Sequence, residues 1–466
     1  MKKIKMKKRF GLIGTLMVAI FALTGVAHAD DHLKFPIGEG GFTWASYHDF
    51  AKAHDYSGQQ LTITTRTGGD LEIGLSNALA YFAEATGAKV SHLGNLKDFK
   101  QAVVTNHEGG TSPNITGIQL VGFGKDMAKR GAFTPQCYDM ANCELLDWFR
   151  DSYASGQDWI DSGTWEGPDG KKHWYGPNYF TFHFENVYYV PENFEDEGYK
   201  VPQTMEELKA LEDRIVADGG TPWCHGLLAG DGTGFTAQQL KADFLLRSQP
   251  IDVYDKYTTN EIKMDDPRIV AALEELGEIL LDDKKVAGGP NGIPTLNWIT
   301  SAAGLFSNPP EGYMYHQGTY MSQYLPKDKK SGDWDCFYFP KPPNKPGFAK
   351  YPVNGGGAFM TITKDSPVAR GFIEWIKTPI AHELWMAQGG FLTPHKHVNK
   401  ARFADEASAK MNEILLNADP FRFNAGEVFP SAVGGICLNR AMVDYVGGKS
   451  AKEVLRVCQE IWDGLK

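Results

Sequence analysis

Between residues 61 and 130, strand-like and helix-like segments alternate, and this order constrains the fold more than any other feature of the chain. The segments are, in order, a strand at Leu61 to Thr65, a helix with Leu71, Leu75, Leu79 and Phe82 on one face, a strand at Lys89 to His92, a helix capped by Asn95, a strand at Asn114 to Gln119 and a helix from Phe123 to Arg130. Parallel neighbouring strands need a crossover connection, which is usually a helix. The pattern therefore predicts a mostly parallel α/β sheet.

The second half of the chain also has α/β character, although its sequence does not repeat that of the first half. An alternating segment from Tyr179 to Val190 predicts a strand. Helix starts are predicted by two capping boxes and three positions where a capping residue precedes proline: Thr204 with Glu207, Ser450 with Glu453, Asp266-Pro267, Ser366-Pro367 and Thr378-Pro379. A chain of 466 residues exceeds the size at which one hydrophobic core stops growing, so we expect two lobes. Since no flexible linker separates them, the chain should cross between the lobes more than once and form a hinge.

The amino terminus has the pattern of a cleavable export signal. Six of the first nine residues are basic, an apolar run extends from Phe10 to Val26, and Ala27-His28-Ala29 offers a small-x-small cleavage site. We predict a signal peptide at residues 1–29, a mature chain that starts at Asp30, and a periplasmic location. No cysteine stands at the cleavage point, which argues against a lipid anchor.

Charge argues against two classes of partner. The whole chain carries a net charge of −10, and removal of the basic signal makes the mature chain more acidic still. Nucleic acids and anionic lipids require basic surfaces. We therefore expect no nucleic-acid or membrane-surface role.

All six cysteines follow the predicted signal, so they enter an oxidising compartment. Six cysteines allow 15 pairings. We predict a local bridge between Cys137 and Cys143, a bridge between Cys437 and Cys458 that holds the last helix, and by elimination a Cys224 to Cys336 bridge. Free buried thiols are the alternative. No CxxC or HxxxH spacing accompanies the cysteines, so no metal site is predicted.

The motifs of several enzyme classes are missing from the sequence. There is no GxxxxGK[ST] segment and no GxSxG elbow, and the glycines at 230–234 have no strand directly before them. No cofactor is therefore expected. An exported glycoside hydrolase stays open as an alternative, because hydrolysis of a glycoside needs only two carboxylates. Aromatic residues are abundant, with 11 Trp, 19 Tyr and 27 Phe, and sugars are bound by rings that cover their apolar faces together with planar polar groups at their hydroxyl rims.

Ten short segments, taken in order, resemble the solute-binding proteins (family 1) of bacterial carbohydrate ABC transporters, most closely the α-glucoside-binding branch. The resemblance covers nearly the whole mature chain and rests on these segments: 42–47 FTWASY, 114–118 NITGI, 127–131 MAKRG, 169–171 DGK before the turn at 174–177 WYGP, 188–191 YYVP, 200–204 KVPQT, 315–320 YHQGTY, 355–359 GGGAF, 388–394 QGGFLTP and 421–425 FRFNA.

The resemblance implies a type II periplasmic-binding-protein fold. Two α/β lobes, each a mostly parallel sheet flanked by helices, would close around a ligand cleft and be joined by about three crossovers. One lobe would comprise residues 30–182 and about 355–396, and the other residues 183–354 and about 397–466.

The resemblance also implies a set of ligand-binding positions in the cleft. They are Arg66, Asp70, Glu72, Gln119, His183, Asp231, Phe235, Gln317, Tyr320, Gly355, Gly356 and Arg422. His183 and Gly234 depart from the maltose-binding relatives, which carry an acid and an aromatic residue there, so maltodextrin specificity does not simply transfer.

The function implied is binding rather than catalysis. The protein would be a periplasmic monomer that captures a small carbohydrate, such as an α-glucoside, by lobe closure and delivers it to membrane permease subunits that use a separate ATPase. The alternatives are another polar solute, such as a glucosylated polyol or a sugar acid, and the exported hydrolase.

Overall fold

The computed structural model describes residues 33–94 and 98–465. Its helices are α1 (Trp44–Ala53), α2 (Asp70–Thr86), α3 (Phe99–Glu108), α4 (Val121–Lys129), α5 (Glu144–Ser152), α6 (Gly156–Ser162), α7 (Pro191–Asp196), α8 (Met205–Ala217), α9 (Phe235–Ser248), α10 (Ile251–Thr258), α11 (Pro267–Leu280), α12 (Gly289–Gly292), α13 (Pro367–Ile376), α14 (Pro379–Met386), α15 (Glu406–Leu416), α16 (Ala425–Val428), α17 (Asn439–Val446) and α18 (Ala451–Asp463), with a π-helical segment at Ala432–Leu438. The strands are β1 (Gln60–Thr64), β2 (Lys89–Leu93), β3 (Ile115–Ile118), β4 (Thr164–Glu166), β5 (Lys172–Trp174), β6 (Asn178–Tyr189), β7 (Met314–Gly318), β8 (Asp335–Tyr338), β9 (Val353–Ile362) and β10 (Phe421–Phe423).

The predicted order of the first six elements is confirmed. β1 pairs in parallel with both β2 and β3, and α2, α3 and α4 follow the three strands in turn. The predicted cap at Asn95 lies outside the described residues. Within residues 33–94 and 98–465, no helix combines the length and the apolar character needed to cross a bilayer.

The predicted helix starts are confirmed as well. The Thr204 hydroxyl accepts a hydrogen bond from the Glu207 amide, and Ser450 does the same for Glu453, while Asp266 accepts from the amide of Arg268. The hydroxyls of Ser366 and Thr378 cap α13 and α14 in the same way. These caps satisfy amide donors that have no partner within their own helix.

Two long antiparallel strands, β6 and β9, join the halves of the main sheet. The sheet order is β2-β1-β3-β9-β6-β7, with β10 beside β9 and β8 beside β6. Residues 178–184 of β6 pair with β9, whereas residues 185–189 lie between β7 and β8. β9 likewise pairs with β10 at residues 353–355 and with β3 at residues 359–362. Each strand therefore contributes to both halves of the sheet.

The glycines of β9 permit a close approach to β6. Gly355 pairs with Phe184 and Gly356 with His183. A Cβ atom on Gly355 would lie 2.4 Å from the His183 carbonyl oxygen and 2.7 Å from the Phe184 Cβ. These glycines lie within β9, where the missing side chains allow the two backbones to meet.

Among residues 33–94 and 98–465, the buried apolar side chains form two clusters. One surrounds β1, β3 and β9 and includes Phe82, Phe359 and Trp375. The other, which includes Leu276 and Met442, is built on α9, α11, α17 and α18. The buried apolar side chains of residues 398–423 pack with the first cluster, and those after residue 424 pack with the second.

Two of the three predicted disulfides are present, and the third prediction is wrong. Cys137 bonds to Cys143, and Cys437 bonds to Cys458, with Cα separations of 6.1 and 5.5 Å. Cys224 and Cys336 are free and buried.

Sheet order explains why Cys224 and Cys336 stay apart. The Cys224 amide bonds to the Met314 carbonyl beside β7, whereas Cys336 lies on β8, and β7 and β6 stand between them. Three strand spacings place the two cysteines roughly 14 Å apart, about twice the longest Cα separation that a disulfide spans. The alternative of free buried thiols is correct for this pair.

We predict that Gly355→Ala destabilises the protein by about 1–3 kcal/mol, because its methyl group would force the two crossing strands apart. The free energy of unfolding would be measured by urea denaturation. Gly292→Ala is the matched control, since a Cβ there would meet no heavy atom within 4 Å. Equal stabilities of the two variants would contradict the prediction.

We predict that two thiols per chain react with a thiol reagent after unfolding without reductant, and that neither reacts in the native protein, because both are buried. Reduction before unfolding should raise the number to six. Absence of reactive thiols in the unfolded, unreduced chain would show that Cys224 and Cys336 are bonded after all.

Candidate ligand-binding cleft

A cleft of about 910 Å³ opens where the loops after β1 and β3 meet α9 and the segment that follows β10. Arg66 follows β1, and Leu120 follows β3. Loops at the carboxyl ends of parallel strands are the usual place for ligand sites in α/β sheets. The opposite wall comes from residues 229–239, from Trp298 and from residues 424–439.

Trp298 forms the aromatic part of the far wall and is held by other rings. Phe235 lies edge-on to it with the ring centroids 5.4 Å apart, Tyr320 at 5.8 Å and Tyr324 at 5.3 Å. The Tyr315 hydroxyl donates to the Trp298 carbonyl oxygen. The indole is therefore half-buried and fixed, and it lines the cleft.

Amide side chains surround this aromatic patch. The Gln238 side-chain amide donates to the Asn424 Oδ1 at 2.8 Å, and Gln239 and Asn439 also line the cleft. The buried Asn424 Nδ2 has no hydrogen-bond partner among the described residues. A buried donor without a partner is costly, so a ligand acceptor at this point would be stabilising.

A hydrogen bond spans the cleft. The Lys100 Nζ on α3 donates to the Ser431 Oγ, which follows α16, at 2.9 Å. Burial and the neighbouring Arg66 lower the pKa of Lys100, against a smaller opposing effect of Asp126. This bond joins the wall formed by the β1–β3 half to the opposite wall.

Behind the cleft lies a buried histidine between two carboxylates. The His183 Nε2 is 2.8 Å from the Glu427 Oε1, and its Nδ1 is 3.0 Å from the Glu185 Oε1. Burial by itself would lower the pKa of His183, but Glu427 and Glu185 outweigh burial and raise it to about 10. The imidazole is therefore charged at neutral pH.

A second histidine extends this buried arrangement away from the cleft. The His316 Nδ1 is 4.0 Å from the Glu185 Oε2, and its Nε2 is 2.8 Å from the Asp243 Oδ2. Asp243 is in turn paired with the buried Arg247. Carboxylates and basic side chains therefore alternate in a series that begins with Glu427 at the cleft wall and ends with Arg247 in the second apolar cluster.

Three of the twelve predicted site residues line the cleft: Arg66, Asp231 and Phe235. Three more stand directly behind it. His183 contacts the lining residue Glu427, and the Tyr320 hydroxyl donates to the Gln317 Oε1 at 2.7 Å behind Trp298.

The other predicted residues do not line the cleft. Gln119 is buried directly before Leu120, and Gly355 and Gly356 lie in β9 against β6. Asp70 and Glu72 are in the first turn of α2.

Arg422 lies in a separate recess of about 320 Å³ rather than in the cleft. Its guanidinium bonds to the Asp158 carboxylate at 2.7 Å and to that of Asp255 at 2.6 and 3.1 Å. The structure therefore does not bring Arg422 together with the other predicted residues; its side chain connects α6 and α10.

Sequence reasoning missed several lining residues, chiefly Trp298, Gln238, Asn424, Glu427 and Lys100. Asn424 was quoted only as part of a family segment. The sequence around Trp298 and Glu427 does not distinguish a ligand contact from ordinary packing. The two residues lie more than 100 positions apart in the chain, and only the fold brings them to the same cleft.

We predict a pH-dependent contribution of His183 to stability. The pKa of His183 is about 10 in the folded protein and about 6.5 in the unfolded chain. Its contribution to the free energy of unfolding is therefore complete below pH 6.5 and is lost as the pH rises through about 10. The stability advantage of the wild type over His183→Gln should therefore narrow by about 1.4 kcal/mol per pH unit from pH 7 to 10.

Urea denaturation across this range measures the difference. The exposed His397→Gln is the matched control and should show no such narrowing. Parallel stability curves for the wild type and His183→Gln would contradict the prediction.

Two curated relatives resemble this chain over most of its length. The alpha-glucosides-binding periplasmic protein AglE of Rhizobium meliloti (strain 1021) is 42% identical over 464 residues, which are 98% of this chain and 100% of AglE. The osmoprotective compounds-binding protein GgtB of Synechocystis is 30% identical over 88% of this chain and 93% of its own. No protein-family model matches the chain.

Solved structures show the same fold at low sequence identity. The bacterial solute receptor AcbH, described as exclusive for β-D-galactopyranose, superposes with a TM-score of 0.69 at 15% identity over 87% of this chain and 99% of its own. The maltose-bound MalE3 of T. maritima gives 0.62 at 18% identity over 87% and 100%. The predicted two-lobed type II fold is thereby confirmed. The prediction that each lobe is a mostly parallel sheet is wrong, because β6 pairs antiparallel with β7, β8 and β9, and β9 also pairs antiparallel with β3.

The relatives are substrate-binding proteins and not enzymes, in agreement with the binding role that the sequence predicted. Identity of 42% across nearly the full length of both chains, together with the fold and the cleft, assigns the family. The chain belongs to the periplasmic solute-binding proteins (family 1) of carbohydrate ABC transporters, close to the α-glucoside-binding branch.

Proposed function

We propose that this protein captures a small α-glucoside, such as a disaccharide, in the cleft and delivers it to the permease subunits of an ABC importer. The observation that supports this proposal is the composition of one cleft wall, where the fixed indole of Trp298 lies beside four side-chain amides. These amides belong to Gln238, Gln239, Asn424 and Asn439. A ring that covers an apolar sugar face and planar groups that bond to hydroxyls suit a carbohydrate. The relative AglE, an alpha-glucosides-binding periplasmic protein, supports this proposal.

Capture works by closure of the cleft. Ligand contacts to both walls favour the closed form by their differential free energy between the open and closed forms. The Lys100 to Ser431 bond is one protein contact made across the gap. The proposed lobes are residues 30–182 with about 355–396, and residues 183–354 with about 397–466. β6 and β9 are two of the crossovers about which they would move.

Several further features complete the proposal. The protein works as a monomer in the periplasm, reaches it by cleavage of residues 1–29, and relies on a separate ATPase for transport energy. Glucosylated polyols and other polar solutes are a second candidate ligand class, because the relative GgtB is an osmoprotective compounds-binding protein.

Calorimetry of the mature chain with maltose, trehalose, sucrose and cellobiose tests the function. We expect one-to-one binding of at least one α-linked disaccharide, weaker or no binding of cellobiose, and no product after prolonged incubation. Product formation would favour the hydrolase alternative. Absence of binding to every sugar would contradict the proposal.

We predict that Trp298→Ala weakens binding of the captured sugar about tenfold or more, since loss of about 1.4 kcal/mol or more of ring contact gives that factor. Tyr138→Ala removes an exposed aromatic side chain that does not line the cleft and should leave affinity unchanged. Equal affinities of the two variants would show that Trp298 is not the sugar platform.

A further inference from the structure

Glu427 differs from the other charged groups of the cleft in its surroundings. Its side chain is 14% exposed, and its Oε2 is buried without a hydrogen-bond partner among the described residues. Arg66, Asp98 and Asp231 are exposed to solvent, and Lys100 bonds to Ser431. Solvent screens the exposed groups, so Glu427 is the charge that acts with least screening on a bound ligand.

The contacts of His183 suit an imidazolium ring, in agreement with the raised pKa of this residue. Both ring nitrogens lie within hydrogen-bond distance of a carboxylate oxygen, Glu427 on one side and Glu185 on the other. Ionised carboxylates only accept hydrogen bonds, so both nitrogens must donate. A positive charge at this point offsets the cost of burying the Glu427 carboxylate.

Close backbone packing also fixes Glu427 in place. It lies in α16, where a Cβ on Gly426 would come within 2.7 Å of the Gln238 Oε1. A Cβ on Gly434 would lie 2.0 Å from the Gly426 carbonyl oxygen. The segment that carries Glu427 is therefore held between α9 and the π-helical segment, which is itself bonded to α18 through Cys437 and Cys458.

We propose that the unpartnered Oε2 of Glu427 accepts a hydrogen bond from a ligand hydroxyl, and that His183 is the positioning residue that holds this carboxylate. The cleft therefore selects an uncharged sugar over the corresponding sugar acid. The inference rests on the proposed carbohydrate function and narrows its ligand class. A hydroxyl can donate to an ionised carboxylate, whereas a ligand carboxylate at the same point would meet a like charge and offer no donor.

The test compares two ligands that differ only at one carbon. Calorimetry at pH 7 would use 4-nitrophenyl α-D-glucopyranoside and 4-nitrophenyl α-D-glucuronide, which differ at C6. The wild type should bind the neutral member of a pair at least about tenfold more tightly, the factor expected for one charge-assisted hydrogen bond.

Glu427→Gln keeps the size of the side chain and removes its charge. The affinity for the neutral sugar should fall about tenfold, and the preference over the acid should shrink to roughly threefold or less. The matched control, Glu413→Gln on the exposed face of α15, should change neither value.

His183→Gln tests the positioning role. It should reduce the neutral-to-acid preference as Glu427→Gln does, and the double variant should lose little more than either single one, because the two residues act as a unit. A merely structural role for His183 would lower both affinities by one factor and leave the preference unchanged. If His183→Gln does not fold, as judged by circular dichroism, the preference of Glu427→Gln decides alone.

The outcomes separate this inference from the proposed function. A wild type that binds the neutral and acidic members of a pair equally, or a Glu427→Gln variant with unchanged preference, overturns the inference and leaves sugar capture intact. A wild type that binds none of these compounds and none of the panel disaccharides overturns the proposed function itself.

Discussion

The pairing of the His183 imidazolium with the carboxylates of Glu185 and Glu427 is the interaction on which the architecture of the cleft depends. It lies where β6 passes β9, opposite Gly356, and both ring nitrogens are engaged. Charges that are so little exposed to solvent are tolerated only when they are paired and hydrogen-bonded, because removal of one partner leaves another charge without compensation. The same contact joins the crossover strand to α16 and so fixes one wall of the cleft relative to the strands that connect the two halves of the sheet.

The two walls of the cleft differ in what they offer a ligand. The wall after β1 and β3 presents Arg66, Lys100 and the rings of Phe99 and Phe123, whereas the opposite wall presents Trp298, several amides and Glu427. A ligand that bridges them gains contacts only when the walls are close, which is the physical basis of capture by closure. Arg422 of β10 bonds to Asp158 of α6 and Asp255 of α10, so the strand that precedes the cleft wall is also joined to these two helices.

Much of the fold could be predicted because its signals are local. The β-α alternation, the capping residues Thr204 and Ser450, and the short-range bridge from Cys137 to Cys143 depend on neighbours within a few residues. The site was predicted less completely. Arg66, Asp231 and Phe235 line the cleft, but Arg422 is in another recess, and nothing near Trp298 or Glu427 in the sequence distinguishes a ligand contact from packing.

The sequence by itself determined the kinds and order of the first six elements, the five predicted helix starts and the family to which the chain belongs. Tertiary structure alone decided that Cys224 and Cys336 remain apart, since two strands lie between them, and that Glu427 meets a histidine 244 positions earlier in the chain. The reason is physical. Caps and periodicities follow from contacts within one turn or strand, whereas a binding cleft follows from strand order and register, which place distant segments side by side.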